Sequence, residues 1–142
     1  MDRRKPSIIK IKGDEEMSLE LLSTEKAPGA VGPYSQGVKA GDLVFTSGQL
    51  PIDPNSGDLL TGDIKAQAKQ SLENVKAVLE AAGASLEDVV KVNVYVVDIE
   101  KFSLINEVYG TYFSDHKPAR SLVEVSKLPL GGEIEIEAIA MK

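Results

Sequence analysis

Alternating apolar and polar positions divide the chain into short strands and two helices. Val89–Val97 (VVKVNVYVV) carries the strongest strand pattern, with valines 90, 92, 94 and 96 on one face and Lys91, Asn93 and Tyr95 on the other. Glu133–Met141 (EIEIEAIAM) alternates in the same way and places Glu133, Glu135 and Glu137 together on one face. Gln36–Ala40 and Leu43–Gly48 flank the turn Ala40-Gly41-Asp42 and read as a hairpin. Ser18–Ser23 and Arg120–Val125 supply two further strands. From Ile64 to Ala82, the residues Ala68, Leu72, Val75, Leu79 and Ala82 recur at spacings of four, three, four and three, which is one helical face. Asp63 is placed to cap that helix and Gly83 to end it. Ser85–Asp88 reads as a single capped turn. A second helix starts from the cap Asp98 and runs through Phe113, with Phe102, Ile105, Tyr109 and Tyr112 at helical spacing.

The order β-β-β-α-β-α-β-β predicts an α+β fold, a mixed β-sheet with two helices on one face. The opposite sheet face is too polar for a private core. It suits either solvent or a subunit interface with a polar cavity.

Composition narrows the chemistry. The 142 residues include no cysteine, no tryptophan and one histidine, His116. That excludes a disulfide framework, a Cys-based zinc site, an iron–sulfur cluster and a thiol nucleophile, as well as a multi-His metal site within one subunit. Sixteen basic and 22 acidic residues give a net charge of −6, which argues against sequence-independent nucleic-acid binding. No apolar run approaches the roughly 20 residues that span a bilayer. Residues 1–16 (MDRRKPSIIKIKGDEE) differ from the rest in holding five basic residues against four acidic ones. They read as an extension of tail or tag type, with a natural extra strand, SIIKIK, as the alternative; residues 17–142 form the single domain. Ile8, Ile9 and Ile11, broken by lysines, do not make the apolar core of a signal peptide, so a cytoplasmic protein is expected.

Arg120 is the only arginine outside the extension, against ten lysines. At a strand start its guanidinium offers a fixed fork that grips a carboxylate; an exposed ion pair is the plainer reading. Among Glu133, Glu135 and Glu137, a buried carboxyl is able to orient or activate water, whereas a solvated edge needs no function. Tyr34, in Gly32-Pro33-Tyr34-Ser35-Gln36-Gly37, either presents its hydroxyl to a ligand or packs under a loop. The Ser47 hydroxyl and nearby backbone amides, at a strand end, suit an anion or carbonyl. His116 lies in a polar loop and reads as solvated. No GxGxxG or P-loop pattern occurs.

Together, the motifs resemble one family. Ala30-Val31-Gly32-Pro33-Tyr34-Ser35-Gln36-Gly37, Thr46-Ser47-Gly48-Gln49-Leu50-Pro51 and Gln70–Lys76 are similar to segments of the RidA (YjgF) reactive-intermediate deaminases. So are Phe102 with Asn106, Pro118-Ala119-Arg120-Ser121, Val123-Glu124-Val125, Leu128-Pro129 and Ile134–Ala138. The resemblance implies a chorismate-mutase-like fold and a homotrimer around a central barrel, with sites in clefts between subunits. It implies hydrolysis of imines and enamines such as 2-aminoacrylate to a 2-keto acid and ammonia, with no cofactor and no metal. By the same resemblance, Arg120 grips the substrate carboxylate, Glu135 orients or activates water, Tyr34 lines the pocket, and Ser47, Gly48 and Asn106 complete the lining. A non-enzymatic binder of small 2-keto acids in the same cleft is the alternative. Two departures bear on substrate range: a Ser114–Pro118 link about three residues shorter than in the commonest bacterial members, and Leu122 where many carry cysteine.

Overall fold

In a computed structural model, residues 18–142 are described in full, together with the backbone of a short strand at Ser7–Lys10. The strands are β1 (Ser7–Lys10), β2 (Ser18–Leu22), β3 (Gly37–Ala40), β4 (Leu43–Thr46), β5 (Val89–Val96), β6 (Ala119–Glu124) and β7 (Ile134–Met141). They form one seven-stranded sheet in the order β1-β2-β3-β4-β7-β5-β6. β5 and β6 run parallel, joined by a crossover helix, and every other neighbouring pair is antiparallel. The mixed sheet matches the expectation. β1, inside the segment read as an extension, pairs with β2, Ser7 opposite Leu21 and Lys10 opposite Ser18. Residues 1–6 and 11–17 lie outside the described residues.

Two helices, α1 (Ile64–Ala81) and α2 (Phe102–Tyr112), cover one sheet face. The Asp63 carboxylate accepts from Lys65 N at 3.0 Å, and Gly83 takes φ +77° to close the C-terminus, both as the sequence predicts. The predicted stripe Ala68, Leu72, Val75 and Leu79 is buried against Val44, Val92, Val94, Ile134, Ile136 and Ala138. Gly37 lets α1 approach: a Cβ there would sit 2.6 Å from Val78 and 2.8 Å from the Phe45 carbonyl. At the start of the second helix, Asp98 caps a 3-10 turn, Ile99–Lys101, which leads into α2.

Two details of the patterning are corrected. Val90 does not share the face of Val92, Val94 and Val96: Val89 pairs with Ala140 and Lys91 with Ile139, so Val90 is the extra residue of a bulge. Val89 is buried in its place, while Val90 is 44% exposed. Glu133 does not join Glu135 and Glu137. It precedes β7, and its carboxylate accepts from Lys101 Nζ at 3.0 Å and Gln67 Nε2 at 3.4 Å. These two donors hold the Glu133 carboxyl below its ordinary value, with the Lys101 bond as the main cause.

Two buried amides shape the loops over the sheet. Gln36 Oε1 accepts from Thr24 N at 2.7 Å, and its Nε2 faces the carbonyls of Thr24, Ala27 and Pro28 at 3.0, 3.1 and 2.7 Å. Asn74, on α1, donates to the carbonyls of Leu50 and Ile52 at 3.1 and 2.9 Å and accepts from Gln70. Asn74→Ala removes the amide from the Ile52 carbonyl and from the Leu50 carbonyl, the latter keeping only Ile52 N at 2.8 Å. It is expected to cost about 2–3 kcal/mol, read as a lower urea midpoint at unchanged slope. A loss within experimental scatter would show that water replaces the amide.

The uncovered sheet face divides in two. Toward β2–β4, strand register puts Leu19, Leu21, Val38, Phe45 and Ile139 on it. Toward β5 and β7 it carries Lys91, Asn93, Tyr95, Glu135 and Glu137. None of these residues is buried. No helix among the described residues is long and apolar enough to cross a membrane.

Candidate active site

Two groups of candidate residues form, on opposite faces of the sheet. Arg120, the second residue of β6, stands opposite Val92 and therefore points to the helix side. There Arg120 Nη1 donates to Asn106 Oδ1 at 2.8 Å. The guanidinium carbon lies 4.6 Å from the centre of the Tyr109 ring and 5.8 Å from that of Phe102. Phe102, Asn106 and Tyr109 sit at i, i+4 and i+7 on α2, so one helix stripe holds the side chain and, among the described residues, leaves donors of its fork free. The Tyr109 hydroxyl is pushed above its ordinary value, by burial first, with the Arg120 charge opposing. Tyr109 reads as core from its spacing alone. That it supports the arginine follows only from the β6–α2 packing.

The second group lines an open cavity of about 850 Å³ on the uncovered face. Tyr34, Ser47, Gly48 and Glu135 all line it, with Glu137 beside them. Its rim is mainly apolar, from Val31, Leu50, Ile52, Pro129 and Leu130. Leu130 takes φ +60° and is 70% exposed, a strained placement that holds an apolar side chain at the rim. Tyr34 is 52% exposed and does not pack into the core; Val31 N approaches its hydroxyl at 3.5 Å.

Ser47 is committed: its Oγ donates to Ser35 O at 2.5 Å and its N to Gln36 O at 2.8 Å. Gln49 N is bonded to Ile136 O. Gly48 N has no hydrogen-bond partner among the described residues, so it is the free amide of this strand end. The Glu135 carboxyl lies directly over Gly48, where a Cβ would stand 2.6 Å from Glu135 Cδ. Burial pushes the Glu135 carboxyl above its ordinary value, and the neighbouring Glu137 charge adds to this.

That shift has a consequence for stability. A raised value in the folded chain favours the protonated acid, a stabilisation that is lost as pH climbs through the folded value. At neutral pH the folded chain therefore holds a charge it disfavours. Glu135→Gln removes it, so the variant should melt higher than the parent at pH 7. The difference should close below about pH 4, where both states are protonated. Equal melting points at both pH values would contradict the burial argument.

His116 is exposed and lies outside both groups; its Nε2 sits 2.5 Å from Val89 O, beside the bulge. Among the described residues no cluster of three or more His, Asp or Glu could hold a metal ion.

The fold and the two groups define a class of small α+β proteins with an arginine held on one helix stripe and a cavity with a half-buried carboxyl. The family model described as Endoribonuclease L-PSP matches residues 24–142. The chain belongs to this family, which includes the RidA (YjgF) proteins. A RutC family protein of Pyrococcus abyssi is 56% identical over 126 residues, covering 89% of this chain and 99% of that one. A Salmonella typhimurium 2-iminobutanoate/2-iminopropanoate deaminase is 52% identical over 124 residues, covering 85% and 96%. The crystal structure of Escherichia coli TdcF with bound serine superposes with a TM-score of 0.82 at 48% identity, over 86% of this chain and 98% of that one.

Proposed function

We propose that this chain is a hydrolytic deaminase of reactive enamines and imines, 2-aminoacrylate among them, yielding a 2-keto acid and ammonia. The observation that carries the reading is the Arg120 fork, held by Asn106 and Tyr109 with donors to spare. Such a fork binds a planar carboxylate bidentately and fixes the adjacent carbon. The enamine first tautomerises to the imine. Glu135 takes a proton from water as the oxygen attacks the C=N carbon. The proton passes to nitrogen, giving a carbinolamine; its hydroxyl proton then moves through Glu135 to the amine, so the C–N bond breaks, the C=O forms and ammonia leaves. Tyr34 and Ser47 border the reacting carbon and the Gly48 amide faces the developing oxygen. No cofactor enters this sequence of steps.

The protein is proposed to act as a homotrimer with residues 17–142 as the working domain. The apolar patch of Leu19, Leu21, Val38, Phe45 and Ile139 supports burial between subunits. Arg120 and Glu135 face opposite sides of one sheet, which supports a cleft built from two chains, Arg120 with Asn106 from one and the Glu135 cavity from the next. Complementation tests this. Arg120→Ala and Glu135→Ala chains, each inactive alone, should regain roughly a quarter of parental activity when refolded together at equal amounts. One of three clefts in every mixed trimer is then intact. No recovery would mean that one chain supplies both groups.

The activity itself is tested by generating 2-aminoacrylate with a dehydratase and following keto-acid release with and without this protein. Acceleration is expected. The second reading, a binder of small 2-keto acids in the same cleft, takes support from the serine held by the E. coli relative; ligand binding without acceleration would decide for it. A phosphate polyanion is disfavoured by the net charge of −6 and a cavity lined by two glutamates.

A further inference from the structure

Glu137 is the most constrained acidic group in the cavity that the proposed chemistry does not use. It stands two residues beyond Glu135 on the same face of β7. Asn93, its cross-strand partner on β5, donates to Glu137 Oε2 at 3.0 Å. Tyr95, the cross-strand partner of Glu135, reaches diagonally and donates to the same oxygen at 2.9 Å. The Tyr95 hydroxyl is itself pushed above its ordinary value, by burial first and then by Glu137, so it stays a donor throughout the neutral range. Two donors on one oxygen fix the carboxylate in place. Glu135 has no hydrogen-bond donor among the described residues and packs on Gly48.

The other groups around the pair do not compete for this role. On β5, Lys91 bonds to Ser121 Oγ at 3.0 Å. On β6, Val123 stands opposite Tyr95 and carries no charge. Ser47, Gly48 and Gln49 are neutral. Asp53 lines the cavity with its carboxylate turned back onto Asn55 N at 2.8 Å, and Tyr34 enters from the opposite loop. Glu133 is turned away toward Lys101.

We propose that Glu137, clamped by Asn93 and Tyr95, is a positioning residue for Glu135, its fixed charge biasing the protonation state that Glu135 presents to substrate. This rests on Glu135 acting as the base. A carboxyl whose proton affinity is raised takes a proton from water more readily, and one whose titration is brought closer to neutrality both takes up and returns a proton in a single cycle, so the neighbouring charge suits a group that must do both.

The test is a pH profile of kcat/KM for the parent, E137Q and E137D, combined with carboxyl carbon NMR of Glu135 across the same range. E137Q keeps an acceptor for Asn93 and Tyr95 but loses the charge. The ratio of its kcat/KM on the acid side to that at neutrality should rise roughly threefold, with the Glu135 titration moving down in parallel. E137D, which keeps the charge, should stay closer to the parent. E137S replaces E137Q if the amide does not fold. A variant whose activity falls equally at every pH, with an unmoved Glu135 titration, overturns the proposal. If the parent shows no deaminase activity, the functional reading fails, while the NMR titration still decides the coupling of the two carboxyls.

Discussion

Arg120→Ala is expected to lower kcat/KM for amino-acid-derived imines by two to three orders of magnitude while the fold persists. Two charge-assisted hydrogen bonds to the substrate carboxylate, about 1.5–3 kcal/mol each, account for a loss of this size. The side chain is only half-buried at the edge strand β6, so its removal empties no core volume. What it leaves behind is Asn106 without its partner and two uncovered rings, Tyr109 and Phe102. Arg120→Lys sharpens the test. Lysine keeps the charge but loses the planar fork, so it should recover only a small part of the activity. Turnover near the parental rate in Arg120→Ala, measured as ammonia release, would remove the arginine from the chemistry.

Gly48→Ala is expected to cost about 100-fold in kcat with little change in melting temperature. The backbone there is compatible with alanine, since Gly48 is not among the glycines with positive φ. The obstacle is Glu135, whose Cδ and Oε2 would lie 2.6 and 2.8 Å from the new methyl. The end of a glutamate side chain yields more easily than a strand, so the carboxyl moves and the fold does not. A displacement of about 1 Å at a catalytic group is enough for such a loss. Gly48→Ala and Glu135→Gln should then be strongly non-additive, the double variant being scarcely worse than Glu135→Gln alone. Additive losses would mean that Gly48 acts through its own amide, independently of the carboxyl above it.

Much of the fold is legible in the residue pattern because its period is regular. α1 carries an uninterrupted stripe from Ala68 to Leu79 with a good residue at each end, and β7 alternates without exception from Ile134 to Ala140. Failures come where local patterning is uniform or where distant partners decide. A run of β-branched residues conceals the bulge at Val90, since every register looks equally apolar. Glu133 fits the strand period, but Lys101 and Gln67, 32 and 66 residues before it in the chain, draw it to the helix side. For the site, the residue types at Arg120, Glu135 and Tyr34 are visible as chemistry. Their division between two sheet faces needs the β5–β6 and β5–β7 registers, which no local signal carries. The supports are harder still. Asn74 and Gln36 act on carbonyls of other segments, and a buried amide on a helix or beside a strand gives no periodic sign of its target.

The Gln36 clamp has a consequence for altering specificity. One buried side chain satisfies the backbone of Thr24, Ala27 and Pro28, so the path of this wall is set by main-chain atoms. Gly29, Ala30 and Val31 follow immediately, are exposed, and line the cavity without being part of the clamp. These three positions form a natural cassette for combinatorial diversification: the scaffold that carries them is indifferent to their identity, and a library built there explores new substrate side chains while Gln36 keeps the frame constant.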